Sequence, residues 1–198
     1  MSTKMPIKNM NIITTLKILY YISIFIWLFP PIRQWKTKYF YFFLILAVAD
    51  PLSIALKLLI KKNILLYFPF VSLILLLSII DYKTYIKKKY QLLISLILIL
   101  LAFIFMQSKL LVVVFQFLIA FVFIKEFVIR FVFDRVVSIF YIILIFYEFT
   151  IVFKYFNIFL GFADATAFFI ITSIFQIAFG LFFSIFREDK TSIALKRG

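Results

Sequence analysis

Tyr39–Ile60 reads YFYFFLILAVADPLSIALKLLI, with Asp50 and Lys57 as its only charged residues. As a helix rising about 1.5 Å per residue it is ~33 Å long. That matches a hydrocarbon core of about 30 Å, so this stretch is long and apolar enough to cross a membrane. Working outward, further apolar runs fall at 13–32, 64–80, 90–107, 110–133, 136–160 and 165–186. Short connections between consecutive runs favour antiparallel neighbours. The expectation is an all-α integral membrane protein, a bundle of about seven transmembrane helices with short loops, with residues 1–198 forming a single polytopic domain. The adjacent prolines Pro30 and Pro31 are expected to end the first helix, because neither can donate the next backbone hydrogen bond.

Composition agrees with this reading. The chain is 66% hydrophobic and 15% charged, whereas a soluble domain is roughly half apolar and a quarter charged. There is no Cys and no His, which excludes disulfides, thiolate chemistry, zinc–sulfur centres and imidazole-based proton transfer. Three glycines are too few for a loop that cradles phosphate. No cofactor is expected, and no catalytic metal or nucleophile is identifiable.

The 22 Lys and Arg set against 8 Asp and Glu point to topology and lipid rather than nucleic acid, since most lie between apolar runs. With seven crossings, about 13 basic residues fall on one side and about 7 on the other. The positive-inside rule then puts the N-terminus outside and the C-terminus in the cytoplasm. Phe, Ile, Lys and Tyr, all with AT-rich codons, are abundant, and the expected location is a bacterial inner membrane. Membrane lipids are the expected partners, with Lys87–Lys89 attracting anionic headgroups. A membrane or cytoplasmic protein is the other candidate partner.

Ionisable residues within spans are costly and tend to be functional. Asp50 and Glu148 each lie roughly 16–18 Å into their spans, near the midplane. Ser53 and Lys57 follow Asp50 at i+3 and i+7, on one helix face, and Pro51 predicts a kink beside the acid. Tyr141 and Tyr155 flank Glu148 on its own face, whereas Lys154 is turned away and needs a partner on another helix or an outward path. Gln176 belongs to a stripe of small and polar residues with Ser173, Gly180 and Ser184, a pattern that joins transmembrane helices. Asp50, Ser53, Glu148 and Gln176 are therefore the candidate ligand- or ion-binding residues, with Lys57, Lys154, Tyr141 and Tyr155 in support. Near the end of the fifth run, Glu126 and Arg130 are expected to pair with each other at i,i+4.

Two functions fit these residues. One is a membrane sensor, transducer or complex subunit that acts by binding a ligand or partner, without catalysis of its own. The alternative is a small carrier or channel for a proton, cation or cationic substrate, using Asp50 and Glu148. An intramembrane enzyme acting on lipid is a third, weaker reading, because two carboxylates without a nucleophile make an incomplete site.

Overall fold

The computed structural model describes residues 7–60, 67–80, 100, 104, 108–161 and 164–194. Helices dominate: α1 (Ile7–Trp27), the short α2 (Phe29–Arg33), α3 (Phe40–Ile60), α4 (Tyr67–Ile79), α5 (Ser108–Ile129), α6 (Ile139–Leu160) and α7 (Ala165–Ile185). In a hydrocarbon solvent every backbone N–H and C=O must be satisfied within the segment, which is what turns such apolar runs into helices. Five helical stretches among the described residues are long and apolar enough to cross a membrane: Thr14–Arg33, Phe40–Leu59, Leu110–Asp134, Ile139–Ile158 and Thr166–Ile185. These agree with five of the seven expected runs. The run at 64–80 is represented by the shorter α4, which at 1.5 Å per residue is ~20 Å long. The run at 90–107 lies outside the described residues apart from Leu100 and Ile104.

Three details differ from expectation. Pro30 and Pro31 do not simply stop a helix. The chain turns at Leu28, and the prolines then sit in the first turn of α2, where a missing N–H costs nothing. The expected all-α chain also contains a small antiparallel strand pair. Val136–Ser138 (β1) pairs with Ser192–Ala194 (β2), in the register Val137 opposite Ile193. Before β1, α5 ends in a wider π-helical turn, Arg130–Asp134, closed by Arg135 at φ 53°. Finally, Glu126 and Arg130 do not pair with each other. Glu126 accepts from Lys38 at 2.9 Å, and Arg130 from α5's end reaches Glu188 at 2.8 Å. Tertiary partners displace the i,i+4 pair because a partly buried ion pair on a second element loses less to solvent than an exposed one.

The core is aromatic. Trp27, Tyr39, Phe42, Phe43, Phe123, Phe140 and Phe183 pack in one cluster where α1, α3, α5, α6 and α7 converge. Many ring pairs there meet edge to face, as Phe42 does with Phe123 at 5.4 Å, the arrangement that the ring quadrupole favours. α1 and α7 approach closely at Gly180. A Cβ added there would lie 2.8 Å from Ile26 Cγ2 and 3.2 Å from Trp27 Nε1. The glycine thus lets the Trp27 indole N–H reach and donate to the Gln176 carbonyl at 3.2 Å.

Candidate functional site: a polar cavity within the bundle

The polar residues of the spans gather in two places. The first is a cavity of about 390 Å³ bounded by α1, α3, α4, α5, α6 and α7. Of the residues singled out from sequence, Asp50, Ser53, Lys57, Lys154, Tyr155 and Gln176 line it. α3 supplies the first three because i, i+3 and i+7 share a face, and α6 and α7 supply the rest. Lys154 does face another helix: its Nζ stands over the Phe169 ring at 5.3 Å. Neither lysine forms an ion pair with Asp50, although both share the cavity.

Hydrogen bonding around Asp50 goes largely to the backbone. Ser53 Oγ donates to the Asp50 carbonyl at 2.8 Å rather than to its carboxylate. Tyr67 of α4 donates its hydroxyl to the carbonyl of Ala49, engaging the backbone next to Pro51, where the proline removes a donor from the helix ladder. On α5, Gln116 Nε2 donates to Ser72 Oγ at 3.2 Å, while its buried Oε1 has no hydrogen-bond donor among the described residues. A half-satisfied buried amide is costly, and Gln116 belongs to the same cavity wall. By sequence alone Gln116, with Ala120 on the same run, reads as helix-packing glue, like the stripe of α7.

Glu148 is placed elsewhere. It is 1% exposed, on the stripe of α6 that also buries Tyr141, Leu144 and Val152. Its Oε2 has no hydrogen-bond partner among the described residues, and Glu148 is not among the residues lining the cavity. Asp50 and Gln176 therefore share a chamber, and Glu148 does not join them. Nor does Tyr141 support Glu148. Seven residues of helix are ~10.5 Å of rise, beyond the reach of a tyrosine, so its hydroxyl takes a nearer partner at the bundle end.

That end is the second polar cluster, and sequence reading missed its central residue. Glu188, just beyond α7, accepts at Oε1 from Arg130 Nη2 (2.8 Å) and from the Tyr141 hydroxyl (3.0 Å). Tyr39 extends the chain, its hydroxyl bonded to that of Tyr141 at 2.9 Å. Buried Gln34 donates to the carbonyls of Phe183 (3.2 Å) and Phe186 (2.8 Å) and accepts from the Glu188 amide (3.3 Å). It thereby satisfies carbonyls at the end of α7 that have no intrahelical donor. Nothing in local spacing connects residue 188 with residue 130.

Among the described residues, no group of three acidic side chains is placed to hold a metal ion. Comparisons with protein-family models, with curated proteins and with solved structures find no match to this chain.

Proposed function

We propose that this protein is a seven-span membrane protein that works by binding a small polar ligand in the cavity around Asp50, as a sensor, transducer or subunit of a membrane complex. In this reading, the run at 90–107 provides the fourth crossing, and α4 with its flanking residues the third. The N-terminus is outside, and the C-terminus is in the cytoplasm of a bacterial inner membrane. The observation that carries the reading is a chamber of about 390 Å³ that holds one carboxylate and two ammonium groups without joining them. Unpaired charges at membrane depth are expensive, and a ligand bearing both an anionic and a hydrogen-donating group relieves that cost. Its anion meets Lys57 and Lys154, and its donors meet Asp50 and the open Gln116 Oε1. Because α1, α3, α4, α5, α6 and α7 all contribute walls, occupancy changes how they pack, which is how binding reaches a partner.

The alternative reading is a carrier for a proton, cation or cationic substrate. It draws on Pro51, which lies inside α3 directly after Asp50. Transporters place broken helices and titratable carboxylates together at the midplane.

One experiment separates the two. Wild type and Asp50→Asn are purified gently from native membranes through a C-terminal tag. Small molecules and proteins retained by each are identified by mass spectrometry. The binding reading expects a ligand or stoichiometric partner on the wild type that the variant loses. If neither retains anything, and proteoliposomes of wild type alone conduct protons or cations, the binding reading is wrong and the carrier stands.

A further inference from the structure

A different recess lies at the bundle end, away from the cavity around Asp50. It has a volume of about 410 Å³ and is bounded by α2 and by the end of α7. Its cationic wall consists of Arg33, Lys36 and Arg187, and Phe29, Ile32 and Trp35 form its apolar side. We propose that this recess binds the phosphate of an anionic phospholipid, with those three cations around the phosphate and the apolar residues against the upper acyl chains.

Position is the first support. Arg33 closes the first apolar stretch, Phe40 opens the next, and the last ends at Ile185. Arg33, Lys36 and Arg187 thus sit at or just past three span ends, the depth at which lipid phosphates lie. Basic recesses between transmembrane helices at this level recognise anionic headgroups.

The second support is how the three cations are held: Arg33 keeps its terminal nitrogens open, and Arg187 has a single, largely exposed carboxylate as its ionic partner. Arg33 uses Nε to donate to the Ile185 carbonyl at 2.9 Å, which fixes the guanidinium and leaves its terminal nitrogens for a ligand. Arg187 Nε is ion-paired with the exposed Asp189 carboxylate at 3.2 Å but makes no well-aligned hydrogen bond among the described residues, so an anionic ligand competes with Asp189 for it. Lys36 has φ 65°, a left-handed conformation rare for a residue with a side chain. Such strain persists where surrounding structure enforces it, and it concentrates at binding sites.

The third support is amphipathic matching. Ile32 is 72% and Trp35 57% exposed, beside the three cations. A free phosphate ion leaves these side chains uncovered. A phospholipid covers them, and an interfacial tryptophan is suited to that role.

The test uses the full-length protein in a neutral detergent, titrated with short-chain phosphatidylglycerol and followed by native mass spectrometry and thermal shift. Phosphatidylcholine of the same chain length and inorganic phosphate serve as the comparison ligands. Phosphatidylglycerol is expected to bind and raise Tm, and the other two are not. Each surface cation contributes ~5-fold in affinity for anionic lipid. Lys36→Gln with Arg187→Gln should therefore weaken binding on the order of 30-fold, while Arg33 keeps its bond to Ile185. Asp189→Asn removes the competing carboxylate without touching the packing and should tighten binding by a few fold. Replacing Lys87, Lys88 and Lys89 by Gln should change little. The proposal fails if the Lys36/Arg187 pair binds phosphatidylglycerol like wild type, or if the three-lysine variant alone loses it. It also fails if inorganic phosphate saturates the site at the same concentrations, which would identify an ion site and not a lipid site.

Discussion

The two polar clusters of this bundle are built from similar residues and solve opposite problems. At the bundle end, Gln34, Arg130, Tyr141, Glu188 and Tyr39 are joined in a chain of hydrogen bonds between 2.8 and 3.3 Å. In the cavity, Asp50, Lys57 and Lys154 share a space with no ion pair among the described residues, and within that set Gln116 leaves an acceptor open. A satisfied buried network rigidifies, whereas a partly satisfied one carries a standing cost. The first is therefore a lock. It ties the segment after α7 to α5, with β2 zipped to β1 and Ile139 N donating to the Thr191 carbonyl at 3.0 Å. The second is a place where something else completes the bonding.

Substitutions can sharpen or break that contrast. The largest loss is expected from Arg130→Ala, which leaves the Glu188 carboxylate buried without its cation. A fully buried pair broken from one side costs 3–5 kcal/mol. Arg130 is a third exposed, so a loss of ~2–3 kcal/mol is expected in detergent unfolding. An unchanged unfolding midpoint would mean that the end cluster locks nothing. Gly180→Ala comes next. Its methyl collides with Ile26 and crowds Trp27, and overpacking of this kind costs about 1–3 kcal/mol. The same substitution should shift the tryptophan fluorescence as the Trp27 contact with Gln176 is disturbed. A midpoint and spectrum like wild type would refute the close α1–α7 contact.

Glu148→Gln should keep stability within about 1 kcal/mol of wild type or raise it, because it removes a buried carboxylate that has no salt-bridge partner among the described residues. Ligand retention should be unchanged, since Glu148 is not part of the cavity wall. Retention lost in this variant while Asp50→Asn keeps it would reverse the assignment of the two acids. A loss of no more than about 1 kcal/mol is expected for Ser53→Cys, which replaces a buried hydroxyl donor to the Asp50 carbonyl by a weaker thiol donor of similar size. The chain has no other cysteine, so a water-soluble, charged maleimide reports directly on whether the chamber is open to solvent. Absence of labelling in the folded protein, with full labelling after denaturation, would show a sealed void instead of an accessible site.

Several parts of this molecule were legible in the sequence. Tyr39–Ile60 predicted α3 to within a residue, and 165–186 predicted α7 equally well. Apolar length alone decides such helices when backbone groups have no water to bond. The side-by-side placement of Asp50, Ser53 and Lys57 was also readable, since helical periodicity sets it. Glu148 shows where this kind of reading stops. Its depth and chemistry resemble those of Asp50, yet one faces a chamber and the other is packed among apolar side chains. The angle of a helix about its own axis is set by its neighbours, and no local pattern on α6 encodes it.

The same division holds for the whole chain. Sequence by itself determined that the chain is helical, apolar enough for a membrane, without Cys or His, and supplied with two acids in the middle of long apolar helices. Those are consequences of composition and of contacts within a few residues. Only the tertiary structure decided that Arg130 takes Glu188 and not Glu126, that Tyr141 serves the lock, that Lys154 and Gln176 line one cavity with Asp50, and that Arg33, Lys36 and Arg187 share one recess. Each of those outcomes joins residues far apart in the chain. Which polar group finds which partner depends on the one arrangement of helices that fills the aromatic core, and on the high cost of leaving a polar atom unpaired inside it.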